Sequence, residues 1–154
     1  MGIEIERKFL VSGDQWRSNA AGEKYLQGYL SSDKSCVVRL RAVGDKGYLT
    51  IKGESSGFSR LEYEYEIPVQ ECMEMMEKLV EKPIIEKIRF KVEYQGFVWE
   101  IDEFEGENKG LIVAEIELDH PDQSFERPVW LGIEVTDDPR YFNANLIRHP
   151  YGNW

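Results

Sequence analysis

The chain has 154 residues, 42% of them hydrophobic, which suits one soluble domain with a packed core. No apolar run approaches the roughly 20 residues of a membrane span. The acidic start Met1-Gly2-Ile3-Glu4 fits no secretory signal, and Glu6 in the sixth position spoils a myristoylation site. A net charge of −10 excludes the broad basic surface needed for nonspecific nucleic-acid or anionic-membrane binding, while leaving room for a local cation cluster that grips an anion.

In chain order, apolar and polar residues alternate with period two over 2–11, the mark of a half-buried strand. A short helix is expected at 13–20, then strands at 24–31, 35–43, 47–53 and 59–68. From Val69 to Lys82 the period changes. Val69, Cys72, Met73, Met76, Leu79 and Val80 form one helical stripe, and Pro83 stops it. Strands follow at 84–95, 97–105 and 110–119, with a short one at 130–136. A second helix is expected over 139–148, opening with Pro139 after Asp137-Asp138. Short turns such as Gln95-Gly96 and Asn108-Lys109-Gly110 favour antiparallel neighbours. Without repeats, linkers or low-complexity tracts, residues 1–154 read as a single domain. Cys36 and Cys72 lack metal-type spacing and are expected as reduced thiols of a cytoplasmic protein. His120 and His149 are too few for an imidazole zinc site.

Strand parity then sorts the charges. Glu4, Glu6 and Lys8 share a face against Ile3, Ile5 and Phe9, with Arg7 as an exterior, solvent-seeking break. Arg39 and Arg41 oppose Val38 and Leu40; Lys52 opposes Leu49 and Ile51. Arg60, Glu62, Glu64 and Glu66 oppose Leu61, Tyr63, Tyr65 and Ile67. Lys87, Arg89 and Lys91 share a face, as do Glu100 and Asp102, and Glu115 and Glu117. One wet sheet face would explain any single strand. It does not explain why nearly every wet position is ionised, or why the signs sort by strand. Like charges two apart on a strand stand about 6.5–7 Å apart. Solvent exposure gains nothing from that spacing, whereas a polyanion with a divalent cation uses both signs: Arg and Lys grip phosphate oxygens, and paired carboxylates hold a hard cation such as Mg2+ or Mn2+. If eight strands close into a barrel, these faces line a wet, charged lumen and the apolar faces turn outward against the helices.

Glu4-Ile5-Glu6-Arg7-Lys8 matches E-x-E-x-K, and the match runs on in order through Arg39-x-Arg41, Lys52, Glu62-x-Glu64, Lys87-x-Arg89, Asp102, Glu115-x-Glu117 and Gly132-Ile133-Glu134-Val135-Thr136, then Tyr141 and Asn143. This series resembles the CYTH superfamily, the triphosphate tunnel metalloenzymes, over nearly the whole chain. The resemblance implies an α+β fold: an eight-stranded antiparallel closed barrel, or tunnel, with a few helices packed outside. It implies Glu4, Glu6 and Glu117 as metal ligands, with Glu115 and Glu64 holding metal-bound waters or a second metal. It implies Lys8, Arg39, Arg41, Lys52, Lys87 and Arg89 as the phosphate grip.

The implied reaction is metal-dependent hydrolysis of tripolyphosphate to pyrophosphate and phosphate, as in the inorganic triphosphatases of that superfamily. Class IV adenylyl cyclase, thiamine triphosphatase and nucleoside triphosphatase are alternatives within it, and a non-catalytic polyphosphate-binding module is an alternative outside enzymology. Glu62 or Glu64 would orient the attacking water. Tyr29, sharing a face with Tyr25 and Gln27, is a further catalytic candidate if its hydroxyl lies beside Lys87. The tail from His149 to Trp154 is left two roles, capping a tunnel mouth or making a homodimer contact. Gly53-Glu54-Ser55-Ser56-Gly57 fits G-x-S-x-G, but it joins two strands and no His–acid partner is evident, so it reads as a hairpin loop. No P-loop occurs.

Overall fold

A computed structural model describes residues 3–56 and 59–154. Gly57 of the expected hairpin loop therefore lies outside the described residues; Gly53 closes one strand, and a Ser56–Ser59 bridge precedes the next. The strands are β1 (Ile3–Val11), β2 (Gly22–Asp33), β3 (Cys36–Val43), β4 (Lys46–Gly53), β5 (Ser59–Ile67), β6 (Ile85–Tyr94), β7 (Phe97–Phe104), β8 (Ile112–Glu117) and β9 (Leu131–Glu134). The helices are α1 (Val69–Lys78) and α2 (Asn143–Leu146), with short 3-10 turns at Gln15–Asn19, Gly106–Asn108, Pro139–Tyr141 and Tyr151–Asn153.

All strand pairs are antiparallel and run in the order β5-β4-β3-β2-β6-β7-β8-β1-β9. A further pairing, Ile3–Ile5 with Ser59–Leu61, joins β1 to β5 and closes eight strands into a ring. This seam is three residue pairs long, so the rest of that β1 edge is left for β9, which pairs at Phe9 and Val11. Arg7 is exterior as expected, but it is pinned: its Nε and Nη2 donate to the Glu134 carboxylate at 2.8 and 2.5 Å, stitching β1 to β9.

Two apolar layers cover the outside. Phe9, Trp99, Ile101, Ala114 and Ile116 pack with Trp16 from the first 3-10 turn and with Trp130. Their rings meet edge to face, 5.6–5.7 Å apart for Phe9–Trp99 and Trp99–Trp130. On the opposite side α1 lays Cys72 and Met76 over Leu40 and Ala42, with Val80 beyond its end. The helix comes close because β4 presents Gly47 there: a Cβ at this position would stand 2.7 Å from the Cys72 Cβ.

Two helix expectations are corrected. α1 ends at Lys78 rather than Lys82, and its buried stripe is only Cys72 and Met76 with Val80; Leu79 (64% exposed) and Met73 (42%) face outward. The segment 139–148 is not one helix. Phe142 is extended (φ −70°, ψ 130°), so a Pro139–Tyr141 turn, capped by Asp138 accepting from the Arg140 N–H, is separated from α2.

Not every inward position is charged. Val37, Ile85, Phe104 and Val113 share strand faces with Arg39, Lys87, Asp102 and Glu115, yet they are buried in an apolar cluster with Val135, Tyr141, Leu146 and Ile147. The C-terminal segment thus packs over an apolar end of the ring. Among the described residues no helix is long and apolar enough to cross a membrane.

Candidate active site

Register brings the charged faces together. Cross-strand partners lie on one face of a sheet. Lys8 stands opposite Glu115, Glu6 opposite Glu117 and Glu4 opposite Arg60; Lys52 stands opposite Glu62 and Thr50 opposite Glu64. Tyr29 faces Arg39, Gln27 faces Arg41 and Arg89 faces Asp102. These strand faces surround a cavity of about 500 Å³. Glu4, Glu6, Lys8, Tyr29, Arg39, Arg41, Lys52, Glu62, Glu64, Arg89, Glu115 and Glu117 all line it. Of the residues given a metal, phosphate or catalytic role from the sequence, Lys87 alone is not in this lining, and Asp102 of the matched series stands behind it too.

One wall is acidic. Glu6 faces Glu117 and Glu100 faces Glu115 across neighbouring strands, a like-charge register that costs stability unless something positive lies between. Burial, then the Glu115 and Glu4 carboxylates, raise Glu6 well above the usual carboxylate range, and Glu6 and Glu115 are hydrogen-bonded to each other. Burial with Glu4, Glu62 and Glu100 likewise raises Glu117. Burial also works to raise Glu115, but Lys8, the bond with Glu6 and Arg89 outweigh it and leave Glu115 well below its ordinary value. For Glu4, Lys52 at 3.2 Å and Arg60 at 3.4 Å similarly overcome burial.

The other wall is cationic. The Arg39 Nη2 reaches Thr50 Oγ1 at 3.1 Å, and that hydroxyl donates to Glu64 at 2.9 Å. Arg89 holds Asp102 with two bonds, 2.8 and 2.9 Å, while Lys87 donates to the same carboxylate at 2.7 Å. Burial depresses Lys87 to about 7; Asp102 opposes this, and Arg89 and Arg41 add to it. Asp102 stays ionised, at about 2, because Arg89 and Lys87 outweigh its burial. Lys8 Nζ donates to the Tyr141 carbonyl at 3.1 Å, so the C-terminal segment reaches the site.

The tyrosine expected beside Lys87 is a different one. Register places Tyr25 opposite Lys87, and Tyr29 lies four residues further along β2, opposite Arg39. The Tyr25 ring lies beneath Arg41 and Arg89, 5.2 and 5.0 Å from ring centre to guanidinium carbon. Tyr29 still lines the cavity, and burial raises its hydroxyl against the pull of Arg39, Arg41 and Lys8, so it remains a hydrogen-bond donor at neutral pH.

The sequence reading assigned no role to Gln27, Thr50, Arg60 or Phe142. Parity carried a signal for Thr50, which alternates with Tyr48 and Lys52, and for Arg60 ahead of Glu62. Phe142 carried none, because it reaches the cavity through the break in the expected second helix.

The acidic wall suits a metal by its chemistry: hard oxygen donors crowded at like charge are what a divalent cation relieves. Among the described residues no three His, Cys, Asp or Glu side chains converge as a metal-holding set as they stand. Lys8, Lys52, Arg60 and Arg89 occupy the carboxylates instead.

A CYTH domain model matches residues 2–151. An inorganic triphosphatase of Acetivibrio thermocellus is 58% identical over 154 residues, spanning the whole of this chain and 99% of that protein. One from Nitrosomonas europaea is 38% identical over 151 residues, 93% of this chain and 95% of that protein. The crystal structure of an inorganic triphosphatase, 36% identical, superposes with a TM-score of 0.66 over 94% of this chain and 93% of its own. A Hippeastrum protein described as a putative adenylyl cyclase with dominant triphosphatase activity, 14% identical, shares the fold at a TM-score of 0.57, covering 79% of this chain and 81% of its own. With a closed ring, a lumen of sorted charges and a family match over nearly its whole length, the chain belongs to the CYTH domain family.

Proposed function

We propose that the chain is an inorganic triphosphatase, a metal-dependent enzyme that hydrolyses tripolyphosphate to pyrophosphate and phosphate. The observation that carries this is the sorting of the lumen, with a cationic wall facing an acidic wall across one cavity. The names of the two relatives agree with it. Phosphoryl transfer asks a protein chiefly for charge neutralisation and positioning. Lys8, Arg39, Arg41, Lys52 and Arg89 hold the non-bridging oxygens in register. Lys87 acts behind them by fixing Asp102, which clamps Arg89. Glu62, beside Lys52, and Glu64, held by Thr50 and Arg39, are the carboxylates placed to orient the attacking water. A divalent cation, Mg2+ or Mn2+, held by Glu4, Glu6, Glu115 and Glu117, would neutralise phosphate oxygens and help activate the water when bound. Water attacks the terminal phosphorus, that P–O–P bond breaks, and pyrophosphate leaves. The free thiols Cys36 and Cys72 support a cytoplasmic location.

The test is phosphate release from tripolyphosphate, ATP, thiamine triphosphate and long-chain polyphosphate, with Mg2+ or Mn2+. The expected result is the highest kcat/KM on tripolyphosphate and loss of turnover in EDTA. Cyclic AMP from ATP with Mn2+ would replace this reading by a cyclase, and binding without turnover would replace it by a binding module.

A further inference from the structure

Arg41 stands apart from the other lumenal cations. Lys8, Arg39, Lys52 and Arg89 each have a carboxylate oxygen within 4 Å. Among the described residues Arg41 has no such partner. Its side chain makes one hydrogen bond there, from Nε to Gln27 Oε1 at 3.0 Å. The two residues are cross-strand partners on β3 and β2, and Gln27 is completely buried. Among the described residues the buried Gln27 Nε2 has no hydrogen-bond partner, so the bond that the amide makes is the one that holds Arg41.

We propose that Gln27 is a substrate-positioning residue. It is a neutral strut behind the cavity lining that fixes the Arg41 guanidinium through Nε and leaves both Nη groups for a phosphate of the substrate. The inference rests on the triphosphate reading of the lumen and names a residue that reading does not include. The chemistry explains why an amide stands here. A carboxylate at position 27 would also accept from Arg41, but it would neutralise the cation and repel phosphate. An apolar side chain would leave Nε without its acceptor and free the guanidinium to turn toward Glu64, whose charge already acts on it.

Two variants separate a strut of this kind from a purely structural residue. Gln27→Glu keeps the shape and the acceptor; Gln27→Met loses both polar atoms but leaves Arg41 charged. If Gln27 only supports the fold, folded Gln27→Met binds tripolyphosphate as the wild type does, and only Gln27→Glu, whose carboxylate repels phosphate, binds more weakly. If it positions the substrate through Arg41, folded Gln27→Met binds more weakly as well. The experiment measures Kd for tripolyphosphate by calorimetry in EDTA, alongside KM and kcat with Mg2+. The expected result is at least about tenfold weaker binding and higher KM for Gln27→Glu, and a smaller loss for Gln27→Met. Wild-type affinity in folded Gln27→Met, or in Gln27→Glu, would overturn the proposal. If Gln27→Glu does not fold, wild-type affinity in Gln27→Met overturns it and a raised Kd supports it. A wild-type chain that neither binds nor hydrolyses tripolyphosphate would instead overturn the proposed function, which separates the two failures.

Discussion

At the scale of single residues, burial and neighbouring charges compete to set each charge state in the site: the cations win at Asp102 and Glu115, and burial wins at Lys87. Lys87 is fully buried, and its ammonium titrates at about 7 instead of 10.5. A base with a depressed native pKa binds fewer protons folded than unfolded between those two values, so stability rises with pH across that window. Urea unfolding of the free chain should show increasing stability from pH 7 toward 9.5, and Lys87→Met should lose that component. Tyr29, raised by burial, works in the opposite direction only above about pH 10. An identical pH slope in the variant would show that Lys87 is not the buried cation inferred here. Lumenal residues should matter for chemistry more than for folding. Glu6→Ala, Glu117→Ala and Arg41→Ala should each lower tripolyphosphate turnover by roughly 10²-fold or more, a loss of several kcal/mol of transition-state stabilisation. Circular dichroism should show the fold retained. Near-wild-type phosphate release from all three would remove the site assignment.

At the scale of elements, strand parity was legible because side chains alternate strictly along a strand, and one face of charges fixes the other. That argument puts Arg39 and Arg41, Lys52, and Glu115 and Glu117 each on the charged face of its strand; one shared lumen follows only if the strands close, which the family resemblance implies. Three features were not legible, each for a physical reason. The Tyr25–Lys87 pairing depends on long-range register between β2 and β6, which local pattern does not set. The inward Val37, Ile85, Phe104 and Val113 sit at the ends of charged faces, where one apolar residue of the right parity carries no signal until the C-terminal segment is seen to cover it. The break at Phe142 lies inside a stretch whose Pro139 start is a good helix opening. The seating of α1 gives a prediction at this scale. Gly47→Ala places a Cβ 2.7 Å from that of Cys72 and 3.3 Å from the Ile67 carbonyl oxygen, so α1 must lift. Overpacking of this kind costs about 1–3 kcal/mol, and a chain of this size should lose roughly 2–10 °C in Tm. KM for tripolyphosphate should stay unchanged, because the strain falls on the outer face.

At the scale of the whole molecule, the ring is a container for charges that satisfy one another only in part. The acidic wall takes Lys8, Lys52, Arg60 and Arg89 as counter-ions, and Lys8, Lys52 and Arg89 are among the cations that the proposed function assigns to phosphate. A metal held by the carboxylates would release the cations, and a triphosphate held by the cations would release the carboxylates. Metal and substrate should therefore favour each other's binding by the same factor, since coupling between two sites is reciprocal. Thermal unfolding reads this directly. Ligand at about 100 times its Kd adds roughly 2.7 kcal/mol, which for a chain of this size is an increase of roughly 5–10 °C. Mg2+ alone and tripolyphosphate in EDTA should each raise Tm. Each should also lower the concentration of the other needed for half its effect. Because the metal needs deprotonated carboxylates, its own shift should shrink as pH falls. Additive shifts with unchanged midpoints would mean that the two walls act independently, and that the lumenal ion pairs are not what each ligand displaces.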